Sequence, residues 1–124
     1  MTNIEKFKDV EIDGDTYRIG RLSAFVGNWM VTQLLAKTYS QEETFKSVQA
    51  HCLDVCMVYR EHEKDGSRTP IKVFEKTAGR FLVSGLENDL FTVNRLVEEV
   101  IAFNLNPFFE KLGIGKQDGT QDTP

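Results

Sequence analysis

Residues 7 to 20 alternate apolar and polar side chains on both sides of Asp13-Gly14. That dipeptide tolerates positive φ at both positions and so favours a tight two-residue turn, which predicts a β-hairpin with Val10, Ile12, Tyr17 and Ile19 toward the core. From about Ala24 to Thr38 the period lengthens to three and four, with Phe25, Val26, Trp29, Met30 and Leu34 on an apolar stripe behind the helix-capping residue Ser23. A second helix is expected from Ser40, where Ser40-Gln41-Glu42-Glu43 reads as a capping box. Its apolar face runs through Phe45, Val48, Cys52, Val55, Cys56 and Tyr59 and is widened by Leu53 and Met57.

Glu63 to Pro70 is polar and rich in turn residues, an expected exposed loop. Ile71–Glu75 and Arg80–Val83 flank Lys76-Thr77-Ala78-Gly79 and predict a second hairpin. The longest helix is expected from about Leu86 to Asn104, behind Ser84-Gly85-Leu86-Glu87, with Leu90, Val93, Leu96, Val97, Val100, Ile101 and Leu105 on its stripe. Asn106-Pro107 would restart the chain as a short helix carrying Phe108, Phe109 and Leu112 and ending at Gly113. The expected fold is α+β and mainly helical: three main helices plus a short C-terminal helix, an N-terminal β-hairpin and a second hairpin. Residues 1–113 form one domain in this reading and 114–124 a flexible polar tail.

Charge narrows the partners. Fifteen Lys and Arg against 19 Asp and Glu leave a net charge of -4 without a concentrated basic run, so nucleic acid, which demands one, is not an expected partner. No apolar run approaches the roughly 18 residues of a membrane span, and Met1 to Asp9 lacks the apolar segment of a signal peptide, which points to a cytosolic protein without a membrane partner.

Catalytic and metal chemistry find little support. The soft ligands are His51, Cys52, Cys56 and His62. On one helix His51 and Cys56 stand about 140° apart and His62 about three turns away, so they would not converge on an ion. The two cysteines are expected as buried small hydrophobes rather than a disulfide, a metal site or a nucleophile–base pair. The scattered glycines form no phosphate loop, and Glu98-Glu99 suits a solvated helix face. No cofactor and no enzyme activity are expected.

What exceeds the ordinary is aromatic: Trp29 beside Phe25, and Phe103, Phe108, Phe109 and Leu112 around the expected helix break. Core packing is the usual fate of such side chains. Those left outside it would form a groove for an amphipathic helix.

Tyr17-Arg18-Ile19-Gly20-Arg21-Leu22-Ser23-Ala24-Phe25-Val26-Gly27-Asn28-Trp29 with Gln33-Leu34-Leu35 resembles the N-terminal half of tail assembly chaperones of long-tailed phages and prophages. Leu86-Glu87-Asn88-Asp89-Leu90 and Ala102-Phe103-Asn104-Leu105-Asn106-Pro107-Phe108-Phe109 resemble the C-terminal half. The resemblance spans about residues 10 to 112 and implies a protein of the host bacterial cytoplasm. Such a protein binds the tape measure protein, keeps it soluble until tail tube protein assembles around it, and is absent from the finished virion. Partner-binding residues would then be Trp29, Phe103, Phe108, Phe109 and Leu112. The competing class is a small structural virion component, such as a head–tail connector or tail completion protein.

Overall fold

The computed structural model of the chain describes residues 6–36, 41–61 and 64–112, the side chain of Leu112 excepted. Strands β1 (Phe7–Ile12) and β2 (Asp15–Gly20) pair antiparallel around Asp13 and Gly14, both at positive φ (53° and 89°), the conformation that lets a two-residue turn follow the twist of the strands. Such a hairpin is marginal alone. It is completed by β3 (Cys56–Glu61) and β4 (Arg68–Lys72), giving a four-stranded antiparallel sheet of order β1-β2-β3-β4.

Helices α1 (Ala24–Leu35), α2 (Glu42–Asp54) and α3 (Leu90–Leu112) share one core with the sheet. Ile12, Tyr17, Ile19, Cys56 and Val58 are buried from the sheet, Met30 and Val31 from α1, Val48, Cys52 and Leu53 from α2, and Leu96, Val97 and Val100 from α3. Each large apolar side chain buried in this way contributes about 1.5–3 kcal/mol. Lys8 of β1 reaches Glu99 of α3 at 3.4 Å, which lays α3 across the hairpin end of the sheet. The alternate strand positions, Phe7, Asp9, Glu11, Thr16, Arg18, Gly20, Met57, Tyr59, Glu61, Arg68, Pro70 and Lys72, point the other way, and none of them is buried. A smaller sheet joins β5 (Phe74–Glu75) to β6 (Arg80–Phe81), with the rings of Phe74 and Phe81 edge to face at 5.0 Å.

The mainly helical architecture expected from the periodicity is overturned by the four-stranded sheet and by α3, which among the described residues runs on to Leu112 where a separate short helix was expected. The second helix stops at Asp54, and Cys56 to Tyr59 become the strand that the hairpin needs as its neighbour. Cys56 and Val58 face inward while Met57 and Tyr59 alternate outward. The expected loop is shortened by β4, which takes Ile71 and Lys72 away from the second hairpin. Ser40 lies outside the described residues, and α2 starts with Gln41 at its N-cap position. His62 and residues 113–124, including the expected tail, also lie outside them.

The long helix starts four residues later than its pattern suggested. Gly85, at φ 87°, breaks the backbone before Leu86, and a single 3₁₀ turn, Leu86–Asn88, follows. Asp89 then caps α3: its carboxylate accepts from the Thr92 amide at 3.1 Å and from the Thr92 hydroxyl at 2.8 Å. Leu90, expected on the apolar stripe, is 75% exposed at this end. At the other end α3 runs through Pro107 without a restart.

Both cysteines are buried and unpaired, and burial pushes the Cys52 thiol up to about 12 and that of Cys56 higher still. The Cys56 thiol donates to the Cys52 carbonyl at 3.4 Å.

Gly20 ends β2 with its amide on the Val55 carbonyl at 2.9 Å, and a β-carbon there would stand 2.9 Å from the same oxygen. Because that oxygen is backbone, it cannot swing aside. Gly20→Ala is expected to cost about 1–3 kcal/mol in denaturant unfolding. Unchanged stability would show that the junction between β2 and β3 yields.

Candidate partner-binding groove

Pro107 has no amide hydrogen, so within α3 it cannot donate to the carbonyl four residues back, that of Phe103. Arg21 supplies the missing donor. Its guanidinium donates to the Phe103 carbonyl at 2.9 Å while stacking over the Phe103 ring at 3.8 Å. Beside it Asn104 makes three further bonds: its side-chain oxygen accepts from the Leu22 amide at 2.9 Å, and its nitrogen donates to the carbonyls of Gly20 at 3.1 Å and Val100 at 2.9 Å. The segment between β2 and α1 is thereby bolted to the last turns of α3.

Ser23 caps α1 through the Val26 amide at 3.2 Å, so the helix leaves this bolt at a fixed angle. Between the two helices lies an open cleft of about 220 Å³. Leu22, Ala24, Gly27, Asn28 and Val31 line one side, and Asn104, Leu105 and Phe108 the other. Val31 and Leu105 form a buried apolar floor, and Phe108 is 39% exposed on the wall. Gly27 leaves open space where a side chain would project. Phe25, one turn from Asn28 on α1, is 88% exposed, the most exposed large apolar residue among those described.

The residues expected as the binding surface do not gather in one place. Phe108 lines the cleft, and Phe109 packs half-buried against it with ring centres 6.0 Å apart. Phe103 is buried beneath Arg21. Trp29 turns to α2, edge-on to His51 at 5.7 Å. Leu112 falls on the last turn of α3, its side chain outside the described residues. Sequence reasoning missed Ala24, Gly27, Asn28 and Val31; their spacing of three, four and seven puts them on one helix face, a signal hidden by the adjacent Phe25 and Trp29.

Among the described residues no three of His, Cys, Asp and Glu come together, and no helix is long and apolar enough to cross a membrane. Comparisons with family models, curated proteins and solved structures returned no significant match.

Two consequences can be measured. If Arg21 replaces the donor that Pro107 lacks, Arg21→Ala is expected to cost about 1–3 kcal/mol in the native chain and clearly less in a Pro107→Ala background, where the backbone can make the bond itself. Equal costs in both backgrounds would remove this role. Burial, then Lys76, lowers the pKa of His51 below its ordinary 6.5, with Asp54 acting in the opposite sense. The unfolded chain therefore binds the proton more readily, and stability conferred by neutral His51 is lost as pH falls through the ordinary histidine range. Melting temperature is expected to drop between about pH 7.5 and about pH 5.5, and less steeply in His51→Gln.

Proposed function

We propose that the chain is a non-enzymatic binding protein whose cleft between α1 and α3 receives an amphipathic helix, and that the helix belongs to a phage tape measure protein. The observation that carries this reading is a coincidence of place. Two of the stretches that resemble tail assembly chaperones, Tyr17–Trp29 and Ala102–Phe109, meet at the Leu22–Asn104 bond, 82 residues apart in sequence, and supply almost the whole cleft between them, while Gln33–Leu35 and Leu86–Leu90 lie outside it. An apolar floor, a wall of Phe108, an exposed Phe25 and a helix surface made shallow by Ala24 and Gly27 suit the close approach of another helix.

The size of the cleft also fits a temporary hold. About 220 Å³ takes the side chains of one or two helix positions, so affinity rests on a few anchors and release remains fast. In this reading the protein works in the host bacterial cytoplasm, masks apolar faces of the tape measure protein, and gives way to tail tube protein without entering the finished virion. Nucleic acid and membrane have no part in it.

Gly27→Leu tests the reading directly, because a β-carbon at Gly27 meets nothing within 4 Å and the longer side chain fills the cleft that Gly27 lines. Replacing a helical glycine is expected to hold or raise stability, by up to about 1 kcal/mol. The variant should nevertheless fail to keep co-expressed tape measure protein soluble. Capture equal to the native chain would contradict the assignment. Recovery of the protein in purified particles would favour the structural virion component instead.

A further inference from the structure

The outer face of the four-stranded sheet carries an ordered gradient of charge. Asp9 of β1 stands opposite Arg18 of β2, Arg18 opposite Met57 of β3, and Met57 opposite Lys72 of β4, so one row across the sheet reads acid, cation, apolar, cation. Glu11 adds a second acid to the β1 side, and on the β4 side Arg68 adds a second base, standing opposite Glu61 of β3. Phe7 of β1 is exposed but held under the Arg18 guanidinium at 3.9 Å, and Tyr59 of β3 accepts from Arg18 at 2.7 Å through its hydroxyl, which donates to Asp9 at 3.3 Å and leaves the second Asp9 carboxylate oxygen for a further donor. The cluster is ordered by its own contacts and bounded by opposite charges at its two edges.

We propose that the chain self-associates face to face through this open sheet, about a twofold axis parallel to the strands. Such an axis reverses strand order between the copies. Asp9 of each copy meets Lys72 of the other, and Arg18 of each lies over Met57 of the other. The charge gradient thereby becomes its own complement, as a twofold interface requires. Lys72 holds Asp54 at 2.9 Å, but its ammonium has three donors and can accept a second carboxylate. Edge-to-edge addition is opposed at both ends of the sheet, by Pro70 in β4 and by Lys8, Asp9 and Glu11 in β1. Four strands offer about 400 Å² per copy, roughly half of a standard interface, so the dimer is weak and reversible. The helices lie on the opposite side of the sheet, and the pair therefore carries its two α1/α3 clefts outward.

Two measurements decide it. Zero-length carbodiimide cross-linking of the native protein should join Asp9 to Lys72. Within one copy that link must span three strand spacings, about 14 Å, and cannot form. Sedimentation over concentrations up to the submillimolar range should show a monomer–dimer equilibrium. Asp9→Lys and Lys72→Asp should each be monomeric alone, yet an equimolar mixture should dimerise, because only the mixed pair restores both opposite-charge contacts. A native protein that stays monomeric and yields no such link overturns the proposal, as do variants that dimerise alone or a mixture that does not. Circular dichroism checks that each variant folds, and if one does not, the native cross-link decides.

Discussion

A proline four residues beyond Phe103 leaves a helical carbonyl without its donor, and an arginine from the opposite end of the sequence fills the place. That exchange lets α3 pass through Pro107 and carry Phe108 and Phe109 onward on a continuous helix. It also fixes where α1 begins, because Arg21 precedes the first turn by three residues and Leu22 is tied to Asn104 at 2.9 Å. An unmet carbonyl in this partly buried position would cost about 1–3 kcal/mol, a large share of a small domain's net stability. The helix end, the strand–helix junction and the cleft between them therefore stand or fall together.

The rest of the architecture divides labour between the two faces of the sheet. Its inner face shares one apolar interior with the three helices; its outer face is a network of arginines, aromatics and carboxylates that satisfy one another in reach of water. The cleft belongs to neither face. It sits where α1 and α3 part, floored by Val31 and Leu105, so a ligand can occupy it without disturbing the core.

Legibility from sequence followed the range of the interactions. The turn at Asp13-Gly14 and the Ser23 cap are set by neighbouring residues, and both were readable from a few positions. Val48, Cys52, Val55, Cys56 and Tyr59 satisfy a helical period, but Cys56, Met57, Val58 and Tyr59 satisfy a strand period as well. The choice fell to the hairpin, which needed a partner strand that no local pattern announces. Pro107 reads locally as a restart for the same reason: its tolerance within α3 depends on Arg21, 86 positions earlier in the chain. Trp29 drew notice by size, whereas the cleft is built from small residues beside it, and an absence of bulk is harder to see than an aromatic.

The cleft between α1 and α3 is the surface we propose to receive a partner helix. Methyl-resolved NMR during titration with a helical segment of tape measure protein tests it most directly, since Leu22, Val31 and Leu105 line the cleft and Ile71 lies on the far strand of the sheet. The methyl signals of Leu22, Val31 and Leu105 should move in a saturable way while that of Ile71 stays in place. Movement at Ile71 with the three cleft residues unmoved, or no movement anywhere, would contradict the claim.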